Sequence, residues 1–297
     1  MEDFKTVNDN FPIVFQIGSF VFGAIIGSFL NVCIYRIPEK RSIITPGSTC
    51  ACGKPIAWYD NIPILSWFIL RGKARCCDLS YSFRYPAVEA LTGALFLFAW
   101  LSYSPLVAAL MMFFIALLIC ASFIDFDHME IPDRFSIGTA FFGILLSVFF
   151  PQLHGYESSS YYIFDATRGF FDSVLGLMIG SGIILWIAIT AEKILKKEAM
   201  GFGDVKLMGG IGAFLGWKGA IFSIFGGAVI GTLGIAIALL LQNLIPSLRA
   251  KRGEIAFGKQ TPFGPMLAAG AIAYALFLKD YVDLYFETVV DTLNRSF

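Results

Sequence analysis

Charged residues are scarce in this chain: Asp, Glu, Lys and Arg make up 15% of its 297 residues, whereas 57% are apolar. An ordinary soluble domain is about one quarter charged, and a water-soluble protein of this length cannot bury so much apolar surface. The mean hydropathy of +0.72 indicates the same. These proportions exclude a water-soluble globular protein and predict that lipid surrounds most of the chain.

Other features that the sequence lacks argue against particular partners and kinds of site. The formal net charge is zero, so gross charge gives no reason to expect a nucleic-acid partner. The first ten residues, MEDFKTVNDN, are acidic and polar and lack the basic start of a signal peptide, so we expect the first apolar run to remain as a span. The two histidines, His128 and His154, have no evident nucleophile partner. No glycine-rich nucleotide loop of the Rossmann type is present.

Apolar runs of about 20 residues predict the membrane spans. They lie near 12–35, 86–103, 105–124, 134–151, 169–190, 205–217, 219–244 and 262–284. We therefore expect an all-α polytopic membrane protein of about eight transmembrane helices with one cytoplasmic loop domain. The expected domains are a first transmembrane helix in 1–35, a cysteine-containing loop domain in 36–85 and a transmembrane helical core in 86–297. The 205–217 run is short and glycine-rich, so it can also be a tilted or re-entrant helix.

Lysine and arginine are distributed unevenly between the segments that connect these runs. Of the 22 basic residues, 17 lie in the segments 36–85, 125–134, 191–206 and 246–261, which the predicted spans put on one side. The other five are Lys5, Arg168, Lys218, Lys279 and Arg295. The positive-inside rule therefore predicts that the 17 face the cytoplasm and that both termini lie outside.

Four of the six cysteines lie in the 36–85 loop, as Cys50, Cys52, Cys76 and Cys77. Disulfides are rare in the reducing cytoplasm. Two thiolate pairs about 25 residues apart suit a tetrahedral zinc ion, which would hold a small loop domain together. The C-x-C and C-C spacings differ from the C-x-x-C of a typical zinc knuckle. A structural zinc site and four reduced thiols held by packing therefore both stay open.

Two aspartate clusters fall at the ends of apolar runs, where a carboxyl group is a functional candidate because it is costly in lipid. Asp125 follows the third run in IDFDH (124–128), and Asp204 precedes the sixth run in GFGDVK (201–206). The predicted topology puts both at one membrane face. Two carboxyl groups brought together can share one proton, so that the ionised one activates water and the protonated one polarises a peptide carbonyl.

Four neighbours of this pair are expected to support it. They are Gly201, Gly203, Asp127 and Lys206. The glycines allow unusual backbone angles and close approach of the chain beside Asp204. Asp127 can also be a solvated turn residue, and Lys206 an interfacial anchor. Taken one at a time, the two acids of the pair can also be helix caps.

Six segments form a pattern that is more specific than any single motif. They are GSFLNVCIYRIP (27–38), WYDNIPILSWFILRGKAR (58–75), RYPAVEALTG (84–93), IDFDHMEIPD (124–133), GFGDVKLMGGIGAFLGW (201–217) and TPFGP (261–265). In this order they resemble the type IV prepilin peptidases, a family of bifunctional leader peptidases and N-methyltransferases. The resemblance extends along nearly the whole chain.

The resemblance implies an aspartic peptidase of the G-x-G-D type with catalytic acids at Asp125 and Asp204. It implies cleavage of type IV prepilins or type II secretion pseudopilins after a glycine, then methylation of the new N-terminal amine with S-adenosylmethionine. It also implies a multi-pass protein of the bacterial inner membrane with its active site at the cytoplasmic face. Its partners would be pilin precursors and the lipid bilayer, with no nucleic acid. Methyl transfer belongs with the N-terminal part, where Glu89 and Gly93 are candidate cofactor-binding residues.

The cysteine loop departs from the family pattern, which usually has C-x-x-C twice. Alignment on the neighbouring residues puts Thr49 and Ala74 where the outer cysteines belong. A peptidase that has lost methylation is therefore an alternative. A proton-coupled transporter is a further alternative, but it predicts charges near the bilayer midplane rather than at the ends of the spans.

Overall fold

The computed structural model describes residues 10–50, 52–157, 161–196, 200–244 and 262–296. Within those ranges the regular structure is helical, and strand pairing is limited to two isolated bridges. Some of the basic residues used to predict the orientation lie outside the described ranges. They are Lys5, Lys197, Arg249, Lys251, Arg252 and Lys259.

Nine helices follow one another along the described part of the chain. They are α1 (Pro12–Arg36), α2 (Leu65–Ile69), α3 (Arg84–Ser102), α4 (Pro105–His128), α5 (Asp133–Phe149), α6 (Tyr162–Leu195), α7 (Phe202–Leu244), α8 (Gly264–Ala273) and α9 (Lys279–Ser296). Short 3-10 turns lie at Trp58–Asn61 and Pro151–His154, and a π-helical turn at Tyr274–Leu278 joins α8 to α9.

Six of the described helical segments are long and apolar enough to cross a membrane. They are Pro12–Arg36, Arg84–Ser102, Pro105–His128, Tyr162–Leu195, Phe202–Leu241 and Gly264–Arg295. With 17 residues, α5 is shorter than these. The segment in α7 counts once, but its backbone is non-helical at Gly216 (φ 71°, ψ 179°), so that α7 consists of two helices. The all-α polytopic fold class is thereby confirmed. The described residues contain six candidate spans where about eight were predicted, because α5 is short and the runs predicted at 205–217 and 219–244 form one segment with a break at Gly216.

The chain divides into two compact units, Met1–Cys120 and Ala121–Phe297. In the first unit α1 packs along α3 through glycines. A Cβ atom added to Gly27 would lie 2.8 Å from Cα of Glu89, and one added to Gly93 would lie 2.9 Å from the carbonyl oxygen of Phe20. Small residues of this kind let the backbones of membrane helices approach closely. The predicted three-part domain division stays a prediction.

In the second unit α7 packs against α5, α6 and α8. A Cβ atom added to Gly180 of α6 would lie 2.6 Å from the carbonyl oxygen of Met208 in α7. One added to Gly227 of α7 would lie 2.6 Å from the carbonyl oxygen of Met266 in α8. Because the backbone of α7 is in close contact with its neighbours, packing determines where the first turn of α7 lies. That turn carries Asp204.

The break in α7 is accompanied by a partly buried histidine, His154. The carbonyl oxygen of Ala213 accepts a hydrogen bond from Ser173 Oγ at 2.8 Å and also interacts with the ring of His154. The Nε2 atom of His154 lies 2.8 Å from Ser147 Oγ. A helix end leaves carbonyl groups without intrahelical donors, so these side chains supply hydrogen bonds where the break removes them. Burial lowers the pKa of His154 to about 4.

This histidine should make the protein less stable in mild acid. Above pH 6.5 the ring is neutral in both the folded and the unfolded chain, whereas between pH 6.5 and 4 only the unfolded chain takes up the proton. The loss at pH 5 is expected to be about 2 kcal/mol. Melting temperatures in detergent at pH 7 and pH 5 should therefore differ less in His154→Gln than in the wild type. The exposed His128→Gln is the matched control, and an equal acid shift in all three proteins would contradict the prediction.

Candidate active site and thiol cluster

Asp125 lies in the last turn of α4, and only 6% of its surface is exposed. The helix ends there because Met129 adopts a left-handed conformation (φ 55°) while its N–H donates to the carbonyl oxygen of Asp125 at 2.8 Å. The side-chain oxygen Oδ2 of Asp125 accepts a hydrogen bond from the N–H of Gly264, the first residue of α8, at 3.1 Å. The carboxyl group is thus held by the backbone of a distant segment.

Asp204 lies in the first turn of α7 with 7% of its surface exposed. Its N–H donates to the carbonyl oxygen of Gly201 at 3.1 Å, which closes the turn that starts the helix. A Cβ atom added to Gly203 would lie 3.3 Å from Cβ of Ile131, whereas one added to Gly201 would meet its nearest atom at 3.9 Å. Neither glycine has a positive φ. Gly203 therefore provides close approach, and the unusual backbone angles expected at the two glycines do not occur.

Ile131 lies where the segments of the two acids meet. Its side chain is 7% exposed, and its Cδ1 would lie 2.9 Å from a Cβ atom added to Gly264. The same side chain lies against Gly203, next to Asp204. Ile131 therefore lies against both Gly203, the neighbour of Asp204, and Gly264, the hydrogen-bond donor to Asp125. The structure thus brings together the two acids that the sequence singled out.

A pair of this kind has a defined chemical capability. Two neighbouring carboxyl groups cannot both ionise at low cost, so the pair holds one proton between them. The ionised member can take a proton from water, and the protonated member can donate a hydrogen bond to a carbonyl oxygen. Neither step requires a serine or cysteine nucleophile. The geometry therefore suits hydrolysis of an amide bond.

The other two predicted supporting residues lie nearer the surface. Asp127 is exposed at the end of α4. The ammonium group of Lys206 lies 2.6 Å from Oδ1 of Asp133 and 5.3 Å from the ring centroid of Phe202. Lys206 is therefore an ion-pair partner that connects the starts of α7 and α5, rather than only an interfacial anchor.

The four thiol groups of the loop lie close together despite their unusual spacing. The Sγ atoms of Cys50 and Cys77 are 3.4 Å apart, those of Cys52 and Cys76 are 3.3 Å apart, and all four lie within 4.8 Å of one another. None of the four is in a disulfide. In a tetrahedral site with Zn–S distances of about 2.3 Å, the sulfur atoms are about 3.8 Å apart. The number, chemistry and spacing of the thiols therefore fit a zinc ion.

Two tight turns produce this arrangement. Thr49 pairs with Pro55, and Lys73 pairs with Ser80, in isolated antiparallel bridges that each enclose two of the cysteines. Within the first turn Gly53 has a φ of 83°, a conformation that glycine adopts without steric cost. Because both turns reverse the chain within a few residues, the thiols converge even though C-x-C and C-C replace the usual C-x-x-C pairs.

The thiol groups are coupled by hydrogen bonds. Hydrogen bonds to the thiolate of Cys50 lower its pKa to about 7. The largest effect comes from the backbone N–H of Cys52, and the thiols of Cys76 and Cys77 have smaller effects. The corresponding bonds raise the pKa of Cys76 to about 12, and the bond to Cys50 has the largest effect. Zinc binds thiolates and displaces such protons, so metal binding to this cluster would release protons.

The candidate cofactor-binding residues lie in the first unit, beside a cavity of about 1500 Å³. Glu89 belongs to its lining and is 9% exposed. Its Oε2 accepts a hydrogen bond from the N–H of Ile64 at 2.6 Å, and Ile64 has a φ of 63°. Such a φ is strained for a β-branched residue. Gly93 instead lies against Phe20 in the contact between α3 and α1.

Two residues of the site were missed by the sequence analysis, Gly264 and Ile131. Gly264 lies within TPFGP (261–265), which served only as part of the family pattern. The available signal was a glycine directly before Pro265 at the start of an apolar run, since such a glycine often permits close backbone approach. Ile131 carried no comparable signal, because an isoleucine beside a span is common.

A polytopic helical membrane protein with two buried aspartates at neighbouring helix ends has the features expected of a membrane-embedded aspartic peptidase. Comparison with protein families defines the chain further. Residues 112–239 match the type IV leader peptidase family, and residues 21–103 match the bacterial peptidase A24 N-terminal domain. The chain belongs to the type IV leader peptidase family.

Curated relatives agree with this assignment. The chain is 34% identical over 286 residues to the prepilin leader peptidase/N-methyltransferase of Aeromonas salmonicida (strain A449), covering 86% of this chain and 88% of the relative. It is 32% identical over 300 residues to the protein of that name from Pectobacterium carotovorum subsp. carotovorum, covering 92% and 96%. The corresponding protein of Myxococcus xanthus (strain DK1622) is 38% identical over 233 residues, which cover 75% of this chain and 64% of that relative. No solved structure matches the chain.

Proposed function

We propose that this chain removes the leader peptide from type IV prepilins or type II secretion pseudopilins and methylates the new N-terminal amine. The observation that carries the proposal is the buried pair of Asp125 and Asp204 within the region that matches the family. The names of the relatives, prepilin leader peptidase/N-methyltransferase, support both activities.

In the proposed cleavage, the aspartate pair activates a water molecule. The ionised carboxyl group accepts a proton from the water while the oxygen attacks the scissile carbonyl carbon, and the protonated carboxyl group donates its proton to the carbonyl oxygen. The resulting tetrahedral intermediate collapses and the C–N bond breaks. The departing amine takes up the proton that the first carboxyl group removed, and the second carboxyl group recovers its proton from the hydroxyl group that becomes the carbonyl of the product. The bond from Gly264 N–H to Asp125 Oδ2 supports this role, because it orients that carboxyl group.

We also infer that the site faces the cytoplasm from the inner membrane. The excess of 17 basic residues over five on the opposite side supports this orientation. Asp125 and Asp204 lie in a last and a first helical turn, as expected for a site at the edge of the bilayer. A substrate with a basic leader and an apolar helix would present its scissile bond at the same level.

Methyl transfer is assigned to the first unit. S-adenosylmethionine would supply an activated methyl group, and the cavity of about 1500 Å³ is large enough for it, since small-molecule sites are about 300–1000 Å³. Glu89 contributes a buried carboxyl group to the cavity lining, and its bond to Ile64 holds the facing loop in place. Gly93 would act indirectly, by keeping α1 and α3 in close contact.

We propose that Cys50, Cys52, Cys76 and Cys77 bind one structural zinc ion. Their sulfur atoms have the number and separation that a tetrahedral site requires. The altered cysteine spacing was the reason to consider a peptidase without methylation. Since the four thiols converge, the spacing no longer supports that alternative.

The proposal is tested with the purified chain in detergent, a full-length prepilin and S-adenosylmethionine. Mass spectrometry of the product should show cleavage after the glycine that precedes the mature residue, and a mass increase of one methyl group. Cleavage with no methyl group, even on a pre-cleaved peptide, would restrict the function to a peptidase. No cleavage of any prepilin or pseudopilin would contradict the proposed function.

The ion pair of Lys206 and Asp133 should matter little for this activity. The side chains are 29% and 63% exposed, and such pairs contribute at most about 1 kcal/mol. We expect Lys206→Met and Asp133→Asn to change kcat for cleavage by less than about threefold. The double variant should have about the same kcat for cleavage as each single variant. A large loss of kcat in Lys206→Met at an unchanged melting temperature would instead place Lys206 in the reaction.

A further inference from the structure

The N-terminus of α8 makes a buried contact with the candidate active site. The N–H of Gly264 donates to Oδ2 of Asp125 at 3.1 Å, across 139 positions of sequence. Gly264 itself is buried, and it starts a helix of ten residues. The bond fixes one oxygen of the carboxyl group, so the group cannot rotate freely about its Cβ–Cγ bond.

Gly264 is a glycine for reasons of space rather than backbone conformation. Its φ is not in the left-handed region, so alanine could adopt the same backbone. A Cβ atom there would lie 2.7 Å from Oδ2 of Asp125 and 2.9 Å from Cδ1 of Ile131. Both distances are shorter than van der Waals contact. A side chain at this position would therefore displace the carboxyl group, Ile131 or α8.

The packing of α8 does not depend on this bond. Leu267 is fully buried, and a Cβ atom added to Gly227 of α7 would lie 3.2 Å from its Cα atom. Farther along α8, a Cβ atom added to Gly270 would lie 2.7 Å from the backbone nitrogen of Gly227 in α7. These contacts hold α8 against α7. The bond from Gly264 N–H to Asp125 is therefore not needed to hold α8 in place, and it can orient the Asp125 side chain.

We propose that Gly264 is a positioning residue for leader cleavage, whose N–H and lack of a side chain together hold Asp125 in its reactive orientation. The proposal rests on the proposed peptidase function. It assigns a role to a residue outside the segment 112–239 that matches the family. Gly264 touches neither substrate nor water in this role and acts through Asp125.

The first test compares Gly264→Ala with Gly138→Ala, a helical glycine with no atom within 4 Å of an added Cβ. A misplacement of about 1 Å can lower the rate about 100-fold, so we expect kcat of Gly264→Ala to fall by about that factor while KM changes less than threefold. Methylation of a pre-cleaved peptide should not change. Wild-type kcat in Gly264→Ala would overturn the proposal.

A double variant separates the contact with Asp125 from simple crowding. Ile131→Val removes Cδ1, and with it the 2.9 Å contact that an added Cβ would make with Ile131. If the added methyl group acts by displacing Asp125, Gly264→Ala in the Ile131→Val background should still lower kcat about 100-fold relative to Ile131→Val alone. Recovery of kcat in the double variant would show that crowding of Ile131 caused the loss, and would contradict the proposal.

A backbone substitution covers the case in which Gly264→Ala does not fold. Glycolic acid incorporated at position 264 keeps the size of glycine but replaces the N–H with an ester oxygen. We expect kcat to fall by about tenfold or more, the value of a hydrogen bond to a charged group. An unchanged kcat would refute the role of the N–H. Failure of the wild type and Gly138→Ala to cleave would refute the peptidase function instead, so the two failures are distinguishable.

Discussion

Asp125→Asn and Asp204→Asn are each expected to lower kcat for leader cleavage by at least about 1000-fold, the upper part of the range for general acid–base catalysis. Asparagine has nearly the same shape as aspartate, so the buried positions should stay filled and the protein folded. It can neither accept a proton from water nor share one with its partner. The measurement is single-turnover cleavage of a prepilin by purified proteins in detergent.

The two acids should also behave as one catalytic unit. Because each carboxyl group is useful only with the other, the double variant should lose about as much activity as either single variant. Multiplication of the two losses would indicate independent roles. Asp127→Asn, in the same cluster but exposed, is the matched control. We expect it to retain more than about one tenth of wild-type kcat, since its carboxyl group is outside the buried pair.

Methyl transfer provides the internal control for folding. The Asn variants change residues of the second unit, whereas the cavity and the thiol cluster belong to the first. Transfer of a methyl group to a pre-cleaved peptide should therefore persist in both variants. Substantial cleavage by either Asn variant would contradict the proposed mechanism.

The protein purified without chelators is expected to contain about one zinc ion per chain. The double variant Cys52→Ser, Cys76→Ser should contain no zinc. Zinc in small structural sites contributes about 10–16 kcal/mol to folding in isolated peptides. The loop is too small to form a large core of its own. Loss of the zinc ion should therefore expose the loop to proteases. Metal content by mass spectrometry and the rate of tryptic cleavage at Arg71 and Lys73 measure both effects.

The control for the zinc prediction is built into the chain. Cys33 and Cys120 are buried thiols that do not belong to the four-sulfur cluster. Cys33→Ala and Cys120→Ala should keep the zinc ion. The paired serine variant should retain leader cleavage, because the aspartate pair is made of other residues. Wild-type protein without zinc, or serine variants that keep it, would contradict the assignment.

The cysteine cluster also shows why spacing alone left two interpretations open. Metal-site patterns assume the turn that C-x-x-C usually forms. Here the bridges of Thr49 with Pro55 and of Lys73 with Ser80 produce equivalent convergence from a different spacing. The sequence could identify the four sulfur donors, whereas their distances depend on how two separate turns pack.

At the aspartate site, too, the sequence identified the functional groups, whereas the contacts between them depend on packing. Hydropathy and the motifs around Asp125 and Asp204 selected these two acids as candidates. The contacts of Ile131 and Gly264 with them were not predictable, because they join segments that are far apart along the chain. Gly203 illustrates the same limit: backbone angles and close approach were both expected there, and the structure shows close approach of Ile131 without a positive φ.

By itself the sequence determined the membrane class, the approximate positions of the spans, including the change of helix near Gly216, and the family. These properties follow from local hydropathy and from motifs read within one segment at a time. Only the tertiary structure decided that four thiols meet, that Lys206 pairs with Asp133, and that Gly264 holds Asp125. Such contacts depend on the packing of helices against one another, and hydropathy within one helix carries no information about its neighbours.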